Sequence, residues 1–205
     1  MMIFFRIIHR LVLVTFLLLI AIGIHAQEYS AKGGLTMSSM KNQGNFSVMP
    51  GIQFGVGAQL GGKEPLTFKI EALITQKGSN NWSRDNLRNV NLLYLEVPVM
   101  YNWEIISGYF IQLGFSPALL LLGNYRYVEN NSSNSDFINR DSKLFDYSTF
   151  IGLDVEWKKN MFIGLRYNHS WVPIQGVTGQ LYRNGELPLS RTFQLYIGYN
   201  IPPKQ

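Results

Sequence analysis

Nine charged residues fall at alternating positions within otherwise apolar stretches: Lys32, Lys69, Glu71, Lys77, Glu96, Asp146, Asp154, Glu156 and Arg166. Lys69-Ile70-Glu71 and Asp154-Val155-Glu156 show the pattern at its shortest. A period of two puts such charges on one face of a strand and the apolar residues on the other. Opposite charges gathered inside a closed sheet would neutralise each other, whereas an unpaired buried charge costs several kcal/mol. The same groups could instead line a narrow pore or pass protons. Glu71 and Glu96 lie in consecutive segments, so a cation among Lys69, Lys32 and Arg166 should sit between or beside them. The network expected on this basis comprises Lys32, Lys69, Glu71, Glu96, Asp154 and Arg166.

Two other groups invite a chemical reading. His169-Ser170 suggests hydrolysis of a lipid, but neighbours on a strand face opposite ways, so the two side chains diverge. No carboxylate on the face of His169 is evident to orient it. No catalytic residue is assigned. There are no cysteines and no histidine cluster, so neither a metal site nor a cofactor is expected. The second group, around Asn80 to Arg88, sets Trp82 beside Arg84 and Arg88. Those side chains could touch lipopolysaccharide phosphates or a protein partner.

The elements that must position these residues follow a secretion signal. Arg6, His9 and Arg10 precede a mainly apolar run from Leu11 to Ile24, and Ala26 provides a small residue at a cleavage point. That run is short for a spanning helix, so we expect a signal peptide over 1–26 and a mature domain over 27–205; an uncleaved anchor is the competing reading. Loss of Arg6 and Arg10 lowers the net charge of +5 by two. The remaining surplus has no basic run, and nucleic acid is not expected as a partner.

Eight alternating segments follow, at 30–39, 48–60, 66–77, 93–103, 109–122, 143–158, 161–171 and 191–201. In the fourth, Leu93, Leu95, Val97, Val99, Tyr101 and Trp103 face one way, while Tyr94, Glu96, Pro98, Met100 and Asn102 face the other. Each segment has the length a tilted strand needs to cross a bilayer. Short connections (61–65, 105–108, 159–160) alternate with longer ones (40–47, 78–90, 123–142, 172–190). Tyr101, Trp103, Tyr109, Trp157 and Tyr199 gather near the short connections, and Tyr147 and Trp171 near the long ones. Apolar faces out, polar faces in, and alternating loop lengths predict an all-β, eight-stranded antiparallel up-and-down transmembrane barrel, with both termini on the periplasmic side. A soluble β-sandwich is the lesser alternative. Pro98 and Pro117 strain the barrel, since a closed sheet has no edge on which to place a missing donor.

Several stretches also carry a family resemblance: Lys32-Gly33-Gly34-Leu35, Pro50-Gly51-Ile52-Gln53-Phe54-Gly55, Glu71-Ala72-Leu73, Gln76-Lys77-Gly78, Leu93-Tyr94-Leu95-Glu96-Val97-Pro98, Gln112-Leu113-Gly114, Phe145-Asp146 and Gly164-Leu165-Arg166-Tyr167-Asn168. With them the chain resembles the small outer-membrane barrels of Bacteroidetes termed PorT-like, or "porin family", proteins. The resemblance implies an eight-stranded barrel inserted by the outer-membrane assembly machinery. Tyr196, Gly198 and Ile201 suit the recognition signal of a last strand, although the chain then runs on through Pro202-Pro203-Lys204-Gln205. The word porin is not carried over as a function. The expected role is non-enzymatic: a structural or accessory barrel in outer-membrane lipid and lipopolysaccharide, with a protein partner at its long loops. A narrow solute channel and a lipid-modifying enzyme are the alternatives.

Overall fold

The computed structural model describes residues 28–41, 48–63, 65–80, 87–129, 132–137, 145–172 and 189–202. The expected signal peptide, Trp82 and Arg84 lie outside these residues, as does the side chain of Arg88. Ten strands form one antiparallel sheet: β1 Glu28–Lys41, β2 Met49–Lys63, β3 Leu66–Asn80, β4 Leu87–Glu96, β5 Val99–Ile106, β6 Tyr109–Glu129, β7 Ser132–Phe137, β8 Phe145–Lys158, β9 Met161–Ser170 and β10 Leu189–Ile201. β1 pairs with both β2 and β10, and pairing continues from β10 through β9, β8 and β6 to β4 and β5, then β3, then back to β2. The sheet therefore closes, with β4 and β5 forming one broken stave and β7 an extension alongside β6. Among the described residues the result is an eight-staved barrel without helices.

Outward residues such as Leu35, Phe54, Val56, Leu113, Ile151, Leu165, Phe193 and Leu195 remain about half exposed. The residues between them are buried and mostly polar: Thr36, Gln53, Gln112, Ser148, Asn168 and Gln194. Closure pairs every stave on both sides, and the apolar belt replaces the core that a soluble sheet would need. Tight turns join the staves at the end where the termini lie. Gly108 (φ 82°) and Asn160 (φ 67°) take left-handed conformations there, which suit two-residue hairpins.

The fourth stave differs from its expected form. It begins at Leu87 and breaks at Val97-Pro98. Glu96 pairs with Ala118 and Val99 with Phe115, so Pro98 and Pro117 meet in the same interruption. Their carbonyls still serve: Glu71 N–H donates to Pro98 O and Val97 N–H to Pro117 O, each at 2.9 Å. One shared break thus holds both missing donors. A register shift between Leu93 and Tyr94 leaves Leu121 and Leu122 both exposed on β6. A further departure lies in 123–142, read as loop, where β6 continues to Glu129 and pairs with β7.

A second irregularity occurs between β2 and β3. Their ladder stops at Gln53 and Thr75, short of the loop end. Side chains from β1 reach across instead. Thr36 Oγ1 donates to Gln76 O at 2.7 Å, Ser38 Oγ donates to Gly78 O at 3.0 Å, and Gly78 N–H donates to Ser38 Oγ at 2.7 Å. Hydroxyls thus replace the missing strand partner, as buried backbone groups require.

Inward glycines stand in register with bulky inward residues. Gly34 and Gly164 flank Tyr196, Gly114 faces Phe150, and Gly198 faces Phe162. A Cβ on Gly164 would collide with the Tyr196 ring and the Asp154 carboxylate. Gly164→Val should therefore cut the folded fraction severalfold, by overpacking worth about 1–3 kcal/mol or more. Heat-modifiable gel migration after refolding in detergent measures this, with Leu165→Ala on the lipid face as the mild control.

The barrel interior as candidate functional site

Alternation brings side chains from almost every stave into one narrow interior, and they separate into two charge clusters. In the cluster nearer the termini, Glu71 on β3 is the hub. Its Oε2 accepts from Lys32 Nζ at 2.6 Å and from Arg166 Nη1 at 2.9 Å. Lys69 Nζ lies 3.9 Å from Oε1. The other face of the Arg166 fork donates to Gln112 Oε1, at 3.2 Å from Nε and 2.7 Å from Nη2. Gln112 Nε2 then donates to Asp154 Oδ2 at 2.6 Å, and Tyr196 OH donates to Asp154 Oδ1 at 2.6 Å. Rings complete the enclosure: the Arg166 guanidinium lies 4.4 Å from the Phe150 centroid, and Lys32 Nζ 4.1 Å from that of Tyr196. Arg166 is only 1% exposed and Glu71 only 2%. Charge-assisted bonds in such a dry site are strong, and removing one partner strands the others.

The second cluster lies nearer the long loops. The Lys77 ammonium contacts Glu96 Oε1 and lies 3.6 Å from Asp146 Oδ2. Thr75 Oγ1 donates to Glu96 Oε2 at 2.9 Å, and Ser170 Oγ donates to Asp146 Oδ1. Beyond it, the described inward positions carry no charge: Met40, Met49 and Val90 are buried in register with Ser190, Ser38 and Ser79.

Of the six residues expected in one network, Lys32, Lys69, Glu71, Asp154 and Arg166 meet around the first hub, while Glu96 belongs to the second cluster. Its cation is Lys77, not Lys69, Lys32 or Arg166. Glu156 is exposed at the terminal rim. Ser170 is buried and bonded to Asp146, while the His169 ring packs on Trp171, 4.8 Å between centroids. Among the described residues, no group of three metal-ligating side chains comes together. Alternation places Gln112 on the inward face, but sequence reasoning named neither it nor Tyr196 or Phe150 as members of the network. A signal existed for each: Gly34 and Gly164 beside Tyr196, Gly152 beside Gln112, and Gly114 beside Phe150. It becomes visible only once strand register is known.

A closed sheet with an apolar outer belt and a dry, charged interior defines an integral membrane β-barrel. Residues 16–174 match the family model described as outer membrane protein beta-barrel domain. The chain belongs to that family and is an outer-membrane β-barrel protein. Among solved structures it is similar to Ail, the attachment invasion locus protein of Yersinia pestis (TM-score 0.56, 13% identity, 86% of this chain and 99% of that one). Ail in complex with the heparin analogue sucrose octasulfate gives a TM-score of 0.53 at 13% identity, covering 85% and 99%. Neisserial surface protein A gives 0.54 at 10% identity, covering 83% and 96%. At these identities the likeness is one of fold. No curated protein matches the chain in sequence.

Glu71→Gln tests the hub. It leaves Lys32 and Arg166 buried without their counter-charge and should destabilise the barrel by about 3–5 kcal/mol. Urea unfolding in phospholipid vesicles, followed by tryptophan fluorescence, measures the loss. A loss below about 1 kcal/mol would place the stabilising contacts elsewhere.

Proposed function

We propose that this protein is a non-enzymatic structural or accessory barrel of the outer membrane, of the PorT-like kind found in Bacteroidetes. Its interior network acts as a plug, and its external loops carry partner choice. The observation that carries this reading is the succession inside the barrel: the Glu71 hub, then Lys77 between Glu96 and Asp146, then an uncharged buried layer in which Val90 and Met40 stand beside Ser79 and Ser190. An eight-stranded barrel has room only for side chains or one small ligand. Here the two charge clusters fill the middle of that room with side chains.

The termini face the periplasm in this reading, because short turns lie at their end and longer connections at the other. Outer-membrane lipid and lipopolysaccharide surround the belt, and the outer-membrane assembly machinery inserts the chain. The β6–β7 hairpin extends the stave beyond its pairing with β8, giving the loop end a raised surface for a protein partner. Trp82, Arg84 and Arg88 would add an aromatic and two cations beside it, suited to lipopolysaccharide phosphates.

Two measurements separate this reading from its alternatives. In planar bilayers the purified protein should give no stable single-channel steps. Steps abolished by changes at Arg166 or Glu96 would replace the plug with a channel. Lipid A mass profiles should be the same with and without the gene, because Ser170 is committed to Asp146 and His169 faces outward. An acylation difference lost in Ser170→Ala would instead identify an enzyme.

A further inference from the structure

The terminal end of the barrel holds a cavity of about 290 Å³ that the two clusters leave unfilled. This is near the small end of ligand sites, which run from roughly 300 to 1,000 Å³. Its lining is polar and ordered by charge. At the inner end lies Lys69, only 6% exposed. Its ammonium stands 3.9 Å from Glu71 Oε1 and 4.8 Å from the Phe162 centroid, with no hydrogen-bond acceptor among the described residues. Lys32 and Arg166 both bond Glu71 Oε2, so the long ion pair to Oε1 is the one carboxylate contact of Lys69 at that residue. Asp154 also lines the cavity, with Gln112 and Tyr196 each donating to one of its oxygens. Lys69 is therefore a buried cation with donors to spare.

Midway along the wall stands Asn102, 7% exposed, whose Oδ1 is buried without a partner. At the mouth are Glu104 and the exposed Glu156. The register sets the order: Lys69 lies opposite Met100, and Asn102 and Glu104 follow on β5 in two-residue steps of about 6.5 Å each. The sequence from inside outward is thus spare cation, unmet acceptor, carboxylates.

We propose that this cavity binds a short zwitterionic peptide, carboxylate inward. The peptide carboxylate bonds Lys69 Nζ, its amide N–H donates to Asn102 Oδ1, and its terminal ammonium sits between Glu104 and Glu156. An anion alone would leave the mouth carboxylates uncompensated, and an amine alone would leave Lys69 and Asn102 unmet. An unmet buried polar group costs about 1–3 kcal/mol, so a ligand that answers Lys69 and Asn102 gains most there, and the solvent-facing mouth carboxylates add attraction for its ammonium.

The test uses the full mature barrel refolded in detergent, with amide NMR shifts as readout at low ionic strength. The probes are glycylglycine, N-acetylglycine, which lacks the amine, and glycinamide, which lacks the acid. Glycylglycine should bind about tenfold more tightly than either, shifting Lys69, Asn102 and Glu104. Lys69→Gln should reduce its affinity to that of glycinamide, and Glu104→Gln with Glu156→Gln to that of N-acetylglycine. If Lys69→Gln fails to fold, the mouth double variant still decides, since its sites lie at the rim. Equal binding of glycinamide would mean a cation mouth, equal binding of N-acetylglycine an anion site, and no shifts with any probe an empty lining. Each of these results overturns the proposal.

Discussion

Eight staves enclose so little width that a charge pointing inward must meet its counter-charge within the length of one side chain. The backbone cannot help, because its donors and acceptors are spent in the ladders. Solvation is likewise denied to groups as buried as Arg166 and Glu71. Compensation falls to the neighbouring side chains, and the structure divides the work. Around Glu71 and Asp154, three cations meet two carboxylates; around Lys77, one cation meets two carboxylates. Neither cluster balances alone, yet their formal charges cancel together.

Volume obeys the same constraint. Large interior residues such as Tyr196, Phe150 and Phe162 fit because the residue beside each in register is glycine. The backbone has its own version of the problem wherever pairing fails. At the β4–β5 break, two prolines share one interruption and still accept through their carbonyls. At the β2–β3 seam, Thr36 and Ser38 supply the groups a strand would have supplied. A closed sheet in lipid tolerates irregularity when another group, drawn from the chain itself, answers the lost bond.

Much of the fold was legible because period-two alternation is a property of single strands and needs no knowledge of neighbours. Leu93 to Trp103 could be sorted into two faces without knowing what they touched. Contacts between strands were not legible. Register depends on bulges and turn geometry, and one added residue at Leu121 changes which residue Tyr94 faces. The partner of Glu96 was misjudged for this reason: Lys77 lies on the neighbouring stave, but at a height that alternation does not reveal. Strand β7 was hidden because Ser132–Phe137 has the composition of a loop and becomes a strand only against the overlong β6.

The two ends of the interior are unlike. Beyond Lys77 the described inward residues are buried and uncharged, Met40, Met49 and Val90 among Ser38, Ser79 and Ser190, while on the other side the cavity runs inward from Glu156 to Lys69. On the proposed plug reading the barrel is a blind well rather than a tube, and water and small ions would reach Lys69 from the side on which the termini lie.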